Sequence, residues 1–159
     1  MKTFDEVDAI LHRHQRRAPV KVVPIAREFG LAVYRDSTME DDVSGMILPD
    51  PIRGGPSGLS IYVNDAHPVE RRRFTIAHAI GHFVLHPDLI EDGVVDDHLY
   101  DSRLGSVMER QANAFAADVL MPEHLLRAAF DAGIRDPEAL ARRFEVSTVS
   151  MHWRLGVPA

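Results

Sequence analysis

The sequence predicts an α+β fold, and three observations lead to this. Apolar residues recur at helical spacing in residues 3–16 and again through the second half of the chain. Three short segments rich in β-branched and aromatic residues lie between these regions, separated by turn-forming residues. The chain has 159 residues, 45 % of them hydrophobic and 26 % charged, a composition typical of one globular domain. We therefore expect a small antiparallel sheet of about three strands packed against helices.

The composition also bears on partners and location. The formal net charge of −6 gives no overall attraction to nucleic acid or to an anionic membrane. The chain has no cysteine, so a metal would have to be held by histidine and carboxylate side chains. No apolar run approaches the roughly 18 residues of a membrane span, and the charged N-terminus does not resemble a signal peptide. We expect a cytoplasmic protein with no membrane association.

The first half of the chain supplies one long helix, one short helix and the strands. Residues 3–16 form the predicted amphipathic helix. The segment PIAREFG predicts a short helix that begins at Pro24 and ends at Gly30. The segments LAVYR, VSGMIL and LSIYVN predict strands. Between the last two, PDPIRGGPSG has too many prolines and glycines to be anything but a loop.

The next element, which contains RRRFTIAHAIGHFVLHP, predicts a helix between Pro68 and Pro87. Apolar residues surround almost its whole circumference, so the helix should be buried. Its three consecutive arginines, residues 71–73, favour a solvated face, although contact with substrate or nucleic acid is an alternative.

Two histidines of this helix have the spacing of metal ligands. His78 and His82 share one helix face about 6 Å apart, so two ring nitrogens can converge on one ion. His86 shares that face but lies about 12 Å along the axis from His78, too far to join the same ion on a straight helix. A third ligand must come from another element. The alternative is that both histidines are hydrogen-bonded core residues.

Glu109 is the best donor for the third ligand. It lies in VMERQANAFAADVLMP, where residues 107–121 predict a helix. Ala112 and Ala116 share its face, and small side chains there would let this helix approach the histidine helix closely. Taken alone, Glu109 is better interpreted as a solvated surface residue, but together with the histidine helix the ligand interpretation is favoured.

Together these two segments carry a family resemblance. RFTIAHAIGHFVLH, followed by ERQANAFAADVLMP, resembles the ImmA/IrrE family of zinc metallopeptidases, which has HExxH on one helix and a glutamate in an ExxAxxFAxxLLMP-like segment on the next. The resemblance implies a minimal zincin-like domain, with the sheet packed on a buried zinc-binding helix and His78, His82 and Glu109 as zinc ligands. It implies one metallopeptidase domain over residues 1–159, of which 122–159 are a C-terminal helical extension.

The resemblance also implies a function. Members of the family act as regulatory endopeptidases, so the expected substrate is a cognate Xre-like or cI-like helix-turn-helix repressor, or an antitoxin. The expected setting is a phage, mobile-element or stress-response circuit.

One residue departs from the family pattern. Ala79 stands where the family has the glutamate that takes a proton from the attacking water and passes it to the leaving amine. A general acid–base group contributes typically about 10²–10⁴-fold in rate, so this chain should bind zinc but be inactive as a protease. Two origins fit, a substitution made to silence the enzyme or a natural pseudoenzyme, and the family-like surroundings favour the first.

The acidic segment of residues 88–102 lies between the two metal helices. It is interpreted as a solvated loop or as a cleft rim that favours basic substrates. Within it, His98 and Tyr100 are candidates to donate a hydrogen bond to a developing oxyanion. His86 is a candidate for orienting a ligand or for a place in the core.

The C-terminal segment DPEALARRFEVSTVSMHWRL is similar to a helix-turn-helix. A first helix should begin at Pro137, and a second should be capped by Ser147. On the second helix only His152 and Arg154 could contact nucleic acid. Two rival functions follow: a DNA-binding regulator with a vestigial metal site, and a non-proteolytic partner-binding or toxin component whose zinc is structural.

Overall fold

The computed structural model describes residues 2–97 and 106–158, which form seven α-helices, a 3-10 helix and four strands. The helices are α1 (Phe4–His14), α2 (Val22–Glu28), α3 (Val69–Leu85), α4 (Ser106–Leu120), α5 (Glu123–Asp131), α6 (Pro137–Phe144) and α7 (Thr148–Leu155). The strands are β1 (Leu31–Asp36), β2 (Val43–Pro49), β3 (Leu59–Asn64) and β4 (Val94–Asp97), and the 3-10 helix is Pro87–Asp92. The predicted α+β class is confirmed, with helices on a small sheet and a helical C-terminal part.

The sheet has the strand order β1-β3-β2-β4 and differs from the expectation in two details. β2 pairs antiparallel with β3 and β4, but β1 pairs parallel with β3, so the expectation of an all-antiparallel sheet was wrong. The loop after β2 explains the parallel pair, because Ser57 in that loop donates its backbone N–H to the carbonyl of Gly30 at 3.0 Å. This places the first residue of β3 beside the first residue of β1. The fourth strand was not predicted, and α5 was expected only as an unspecified part of the helical extension 122–159.

The core lies where α3 covers the sheet. Ile76 and Ile80 of α3 are buried, as are Ile47, Ile61 and Val63 of the central strands. The central helix is therefore held between the sheet on one side and α4 on the other. None of the helices in the described part of the chain is long and apolar enough to cross a membrane.

Local sequence signals account for the helix ends. The Thr3 hydroxyl accepts the backbone N–H of Glu6 and begins α1, and the Ser147 hydroxyl accepts that of Ser150 and begins α7. Pro137 occupies the first turn of α6, where its missing N–H costs nothing. Pro87 directly follows the C-cap of α3 and limits its length.

Arg73 attaches the C-terminal helices to the core. Its guanidinium donates to the carbonyls of Val20 at 2.7 Å, Glu145 at 3.1 Å and Phe144 at 3.2 Å. The expectation of a solvated arginine face was wrong at this position, because Arg73 is only 8 % exposed. Glu145, directly after α6, has φ of 50°, the left-handed conformation that usually calls for glycine. Its contacts with Arg73 help to hold it there.

Replacing this arginine should loosen the C-terminal helices. Arg73→Met keeps most of the side chain's apolar volume but leaves two buried carbonyls and one part-buried carbonyl without their charged donor, at a cost of about 3 kcal/mol or more. We expect a fall in melting temperature of about 6 °C or more, measured by calorimetry. The matched control is Arg143→Met on the exposed surface of α6, which should change it little. Equal effects of the two substitutions would contradict this account of Arg73.

Candidate metal centre

Three side chains from two helices converge beside the buried part of α3. The Nε2 atoms of His78 and His82 are 3.0 Å apart. The carboxylate of Glu109, on α4, lies 2.9 Å from the Nε2 of His82 and 3.4 Å from that of His78. Both histidines are almost fully buried, and the glutamate side chain is 18 % exposed. The structure therefore brings together the three residues that the sequence singled out.

The arrangement fits a small divalent cation. Two ligands at about 2.0–2.1 Å from zinc, at the tetrahedral angle, are about 3.3 Å apart. The three contacts, between 2.9 and 3.4 Å, come close to this spacing. Two imidazole nitrogens and a carboxylate are also a ligand set found in zinc enzymes that leave a position open for substrate. The three side chains could hold a metal ion.

The hydrogen bonds behind the histidines assign their tautomers. The Nδ1 of His78 lies 2.8 Å from the side-chain oxygen of Asn113, an acceptor, so Nδ1 carries a proton and Nε2 is the nitrogen available to an ion. Such a partner fixes both the orientation and the protonation of a ligating ring.

A longer chain of hydrogen bonds does the same for His82. Its Nδ1 lies 2.9 Å from the Nδ1 of His86, whose Nε2 lies 2.7 Å from the side-chain oxygen of Gln111. Because that amide oxygen only accepts, His86 carries its proton on Nε2. His82 then donates from Nδ1, which leaves Nε2 as the nitrogen available to an ion.

The electrostatics of the centre suit an ionised carboxylate. Burial acts to raise the pKa of Glu109, but the hydrogen bonds and charges of His78 and His82 outweigh it and hold the pKa well below its usual range. The carboxylate therefore stays ionised at neutral pH. An ion among the three side chains would replace the protons of these hydrogen bonds and bind the same nitrogen and oxygen atoms.

Close packing of α3 against α4 makes the convergence possible. A Cβ built on Gly81 would lie 3.2 Å from the carbonyl oxygen of Ala112 and 3.3 Å from its Cα. Ala112 and Ala116 are fully buried at this contact. As the sequence suggested, small residues on the two helices let their backbones approach, and Glu109 lies one turn away from this contact.

The structure also locates some of the other residues that the sequence analysis singled out. Ala79 is 6 % exposed and is one of the buried apolar residues of the core. His98 and Tyr100 lie outside the described residues. Of the acidic segment, residues 88–92 belong to the 3-10 helix and residues 94–97 form β4, rather than a plain loop.

The two candidates for nucleic-acid contact are half-buried on α7. Arg154 donates to the carbonyl of Met121 at 3.0 Å and lies 3.6 Å from Asp118, so its side chain is bound to the end of α4. The exposed positions of α7 include Val149 and Trp153, 73 % and 63 % exposed, which are apolar.

Sequence reasoning missed the two amides behind the centre. Asn113 and Gln111 lie four and two residues after Glu109 in ERQAN. The segment that supplies the third ligand therefore also supplies the hydrogen-bond acceptors for His78 and His86. The sequence did contain a signal for these two residues. A metal-binding histidine usually donates its other ring N–H to an acceptor, and Gln111 and Asn113 are polar side chains close in sequence to the third ligand.

Comparison with known proteins places this arrangement in a family. Residues 26–156 match the family model described as the IrrE N-terminal-like domain. Two curated relatives are radiation response metalloproteases called IrrE. The one from Deinococcus radiodurans is 39 % identical over 105 residues, 63 % of this chain and 31 % of the relative. The one from Deinococcus deserti is 35 % identical over 123 residues, 72 % of this chain and 43 % of the relative. The chain thus spans less than half the length of either.

Among solved structures, a Mycobacterium tuberculosis transcriptional regulator has a similar fold. The TM-score is 0.65 at 23 % sequence identity, and the match covers 95 % of this chain and 45 % of the regulator. At this identity the likeness concerns the fold alone.

The side-chain amide of Asn113 should increase the affinity of the centre for metal without being required for binding. Asn113→Ala removes the acceptor that orients the ring, and such losses weaken metal binding about 10- to 100-fold. Competition titration with a zinc chelator should show this loss with one zinc per chain retained. The neighbouring exposed Arg110→Ala should leave affinity unchanged. If Asn113→Ala binds as tightly as the unmodified chain, His78 is not oriented in this way.

Proposed function

The chain belongs to the IrrE N-terminal-like domain family, and from that premise we propose that it is a zinc-dependent endopeptidase by descent whose centre is His78, His82 and Glu109. The observation that carries the proposal is the convergence of these three side chains, from two helices, at distances that match the edges of a tetrahedral site. Relatives called metalloproteases support the assignment.

The residues around such a centre would have different roles. His78, His82 and Glu109 would hold the ion, while Asn113 and His86 keep the two rings oriented. Zinc, when bound, supplies a Lewis acid that polarises a peptide carbonyl and makes water more acidic. The ionised carboxylate of Glu109 offsets part of the positive charge, and the buried rings exclude bulk water from one side of the centre.

Hydrolysis also requires a proton acceptor beside the centre, and Ala79 has no group to serve. We propose that this alanine silences the protease while leaving metal and substrate binding intact, since position 79 follows a ligand without being one. The absence of a positioned acid–base group is worth about 10²–10⁴-fold in rate. Whether an engineered or a natural change put the alanine there, the chemical consequence is the same.

For the substrate, we propose a cognate helix-turn-helix repressor, Xre-like or cI-like, or an antitoxin, cut at one or a few bonds in the cytoplasm. The setting would be a phage, mobile-element or stress-response circuit. The support is the family resemblance of the two metal helices, together with relatives whose names refer to a radiation response.

We also propose that residues 1–159 act as one metallopeptidase domain, with 122–159 as its helical extension. The bonds from Arg73 to the end of α6 support this. The same contacts weigh against the rival of a DNA-binding regulator, because the helix-turn-helix-like tail is used for packing. The third hypothesis, a partner-binding or toxin component with structural zinc, keeps the same centre and differs in that a glutamate at position 79 would not restore cleavage.

Restoring the missing carboxylate should create activity. Ala79→Glu places a proton acceptor one residue beyond the first ligand, and we expect zinc-dependent cleavage of the cognate repressor, at least about 10²-fold faster than with the alanine chain. Cleavage is followed by mass spectrometry of the products, and a chelator should abolish it. Because Ala79 is buried, zinc content and melting temperature of the variant are measured in parallel.

Ala79→Gln is the matched control, since an amide has the shape of the carboxylate but cannot accept the proton. It should remain as inactive as the alanine chain. If Ala79→Glu folds, binds zinc and binds its partner, yet leaves the partner intact, the centre is structural and the protease proposal fails.

The tail should not read DNA sequence. Because Arg154 is bound to Met121 and Asp118, we expect only weak duplex binding that is equal for operator and random sequences and vanishes at physiological salt. Anisotropy titrations with the two duplexes measure this. Operator-selective binding that is lost in Arg154→Ala would favour the DNA-binding regulator instead.

A further inference from the structure

A cationic groove lies on the molecule away from the metal centre. Its volume is about 560 Å³, and it is bounded by α2, the edge strand β1 and the first turns of α3. We call it the β1 groove. Its basic lining residues are Lys21, Arg27, Arg35, Arg72 and Arg73, against one acidic residue, Glu145. The groove is therefore positively charged although the whole chain has a net charge of −6.

The cations differ in how far they are engaged. Arg73 is bound to three carbonyls, and Arg72 donates to the carbonyl of His67 at 2.8 Å. Arg35 faces Asp65 at 3.6 Å in an exposed pair that contributes little. Lys21 and Arg27 are exposed, and neither forms an ion pair with a carboxylate in the described part of the chain. These last two can reach a ligand without giving up a partner.

The groove runs along the open edge of the sheet. Within the described residues, β1 pairs only with β3, so its other edge has unpaired backbone groups. Three consecutive residues, Val33, Tyr34 and Arg35, all line the groove. Side chains of a strand alternate between its faces, so a cavity that touches all three must follow the strand's edge.

The floor of the groove is aliphatic. Its buried and half-buried aliphatic residues have side chains that offer no hydrogen bonds, namely Val22, Val23, Val33, Val63 and Ile76. Such a floor suits the aliphatic side chains of a peptide. It offers little to a nucleobase, because the one aromatic lining residue, Tyr34, is already packed against Tyr62 and lies under Arg53.

From these features we infer that the β1 groove binds an extended acidic segment of a partner protein, which adds to the edge of β1 as a further strand. The backbone edge supplies hydrogen bonds, the aliphatic floor takes alternate side chains, and Lys21 and Arg27 pair with the carboxylates. This inference does not rest on the metal centre, since the groove and the centre share no residue.

The test uses the full chain and three labelled peptides of eight residues, with alternating glutamate and valine, lysine and valine, or glutamate and serine. Anisotropy should show that the glutamate–valine peptide binds at least about tenfold more tightly than either of the others, with affinity falling as salt rises. Amide hydrogen exchange of residues 31–36 should slow when that peptide is bound, because strand addition protects the edge.

Charge reversal locates the site. Lys21→Glu with Arg27→Glu should weaken the glutamate–valine peptide at least about tenfold. Arg127→Glu with Arg135→Glu changes the net charge equally at exposed positions that do not line the groove, and should have much less effect. Melting curves establish that both variants are folded, and the peptide comparison on the unmodified chain needs no variant.

Several outcomes would overturn the inference. One is equal binding of the acidic and basic peptides, and another is an equal loss in the two charge-reversed variants. Binding without protection of residues 31–36 would exclude strand addition. Tighter binding of single-stranded DNA than of the glutamate–valine peptide, lost in the Lys21 and Arg27 variant, would assign the groove to nucleic acid.

Discussion

The close contact between α3 and α4 is the constraint on which the rest of this structure depends. The two metal-ligand histidines of the proposed centre lie on one helix and the carboxylate on the other, so the centre exists only while the helices touch. Gly81 and Ala112 permit that contact, because a Cβ at position 81 would lie 3.2 Å from the carbonyl oxygen of Ala112 and 3.3 Å from its Cα, closer than usual. A shift of even an ångström would break a set of contacts between 2.9 and 3.4 Å.

The same contact also supplies the orientation of the rings. Asn113 and Gln111 project from α4 toward the outer nitrogens of His78 and His86, so one helix pairing provides a ligand, two acceptors and a defined set of tautomers. The buried histidines thereby satisfy their hydrogen bonds whether they serve a metal or the core. The two interpretations of His78 and His82, as metal ligands and as hydrogen-bonded core residues, are thus compatible within one arrangement. Glu109 favours the metal interpretation, because it adds a third ligand to the two histidines.

Much of this could be predicted from the sequence, because the signals are local. Proline and cap residues mark the ends of α3, α6 and α7, and the four-residue spacing puts His78 and His82 on one face. The parallel pairing of β1 with β3 could not be predicted in this way, since it depends on how the loop after β2 folds back to Gly30. The burial of Arg73 depends on carbonyls distant in sequence, at Val20 and Phe144. The β1 groove, likewise, is assembled from elements that no sequence window contains.

The central claim is that His78, His82 and Glu109 hold one metal ion, and anomalous diffraction from crystals of the zinc-loaded chain tests it most directly. The account predicts one strong peak at the zinc edge, about 2.0–2.2 Å from the Nε2 atoms of both histidines and from a carboxylate oxygen of Glu109. A peak elsewhere, for example beside the neighbouring rings of His12 and His124 on the surface, with none among the three buried side chains, would contradict it.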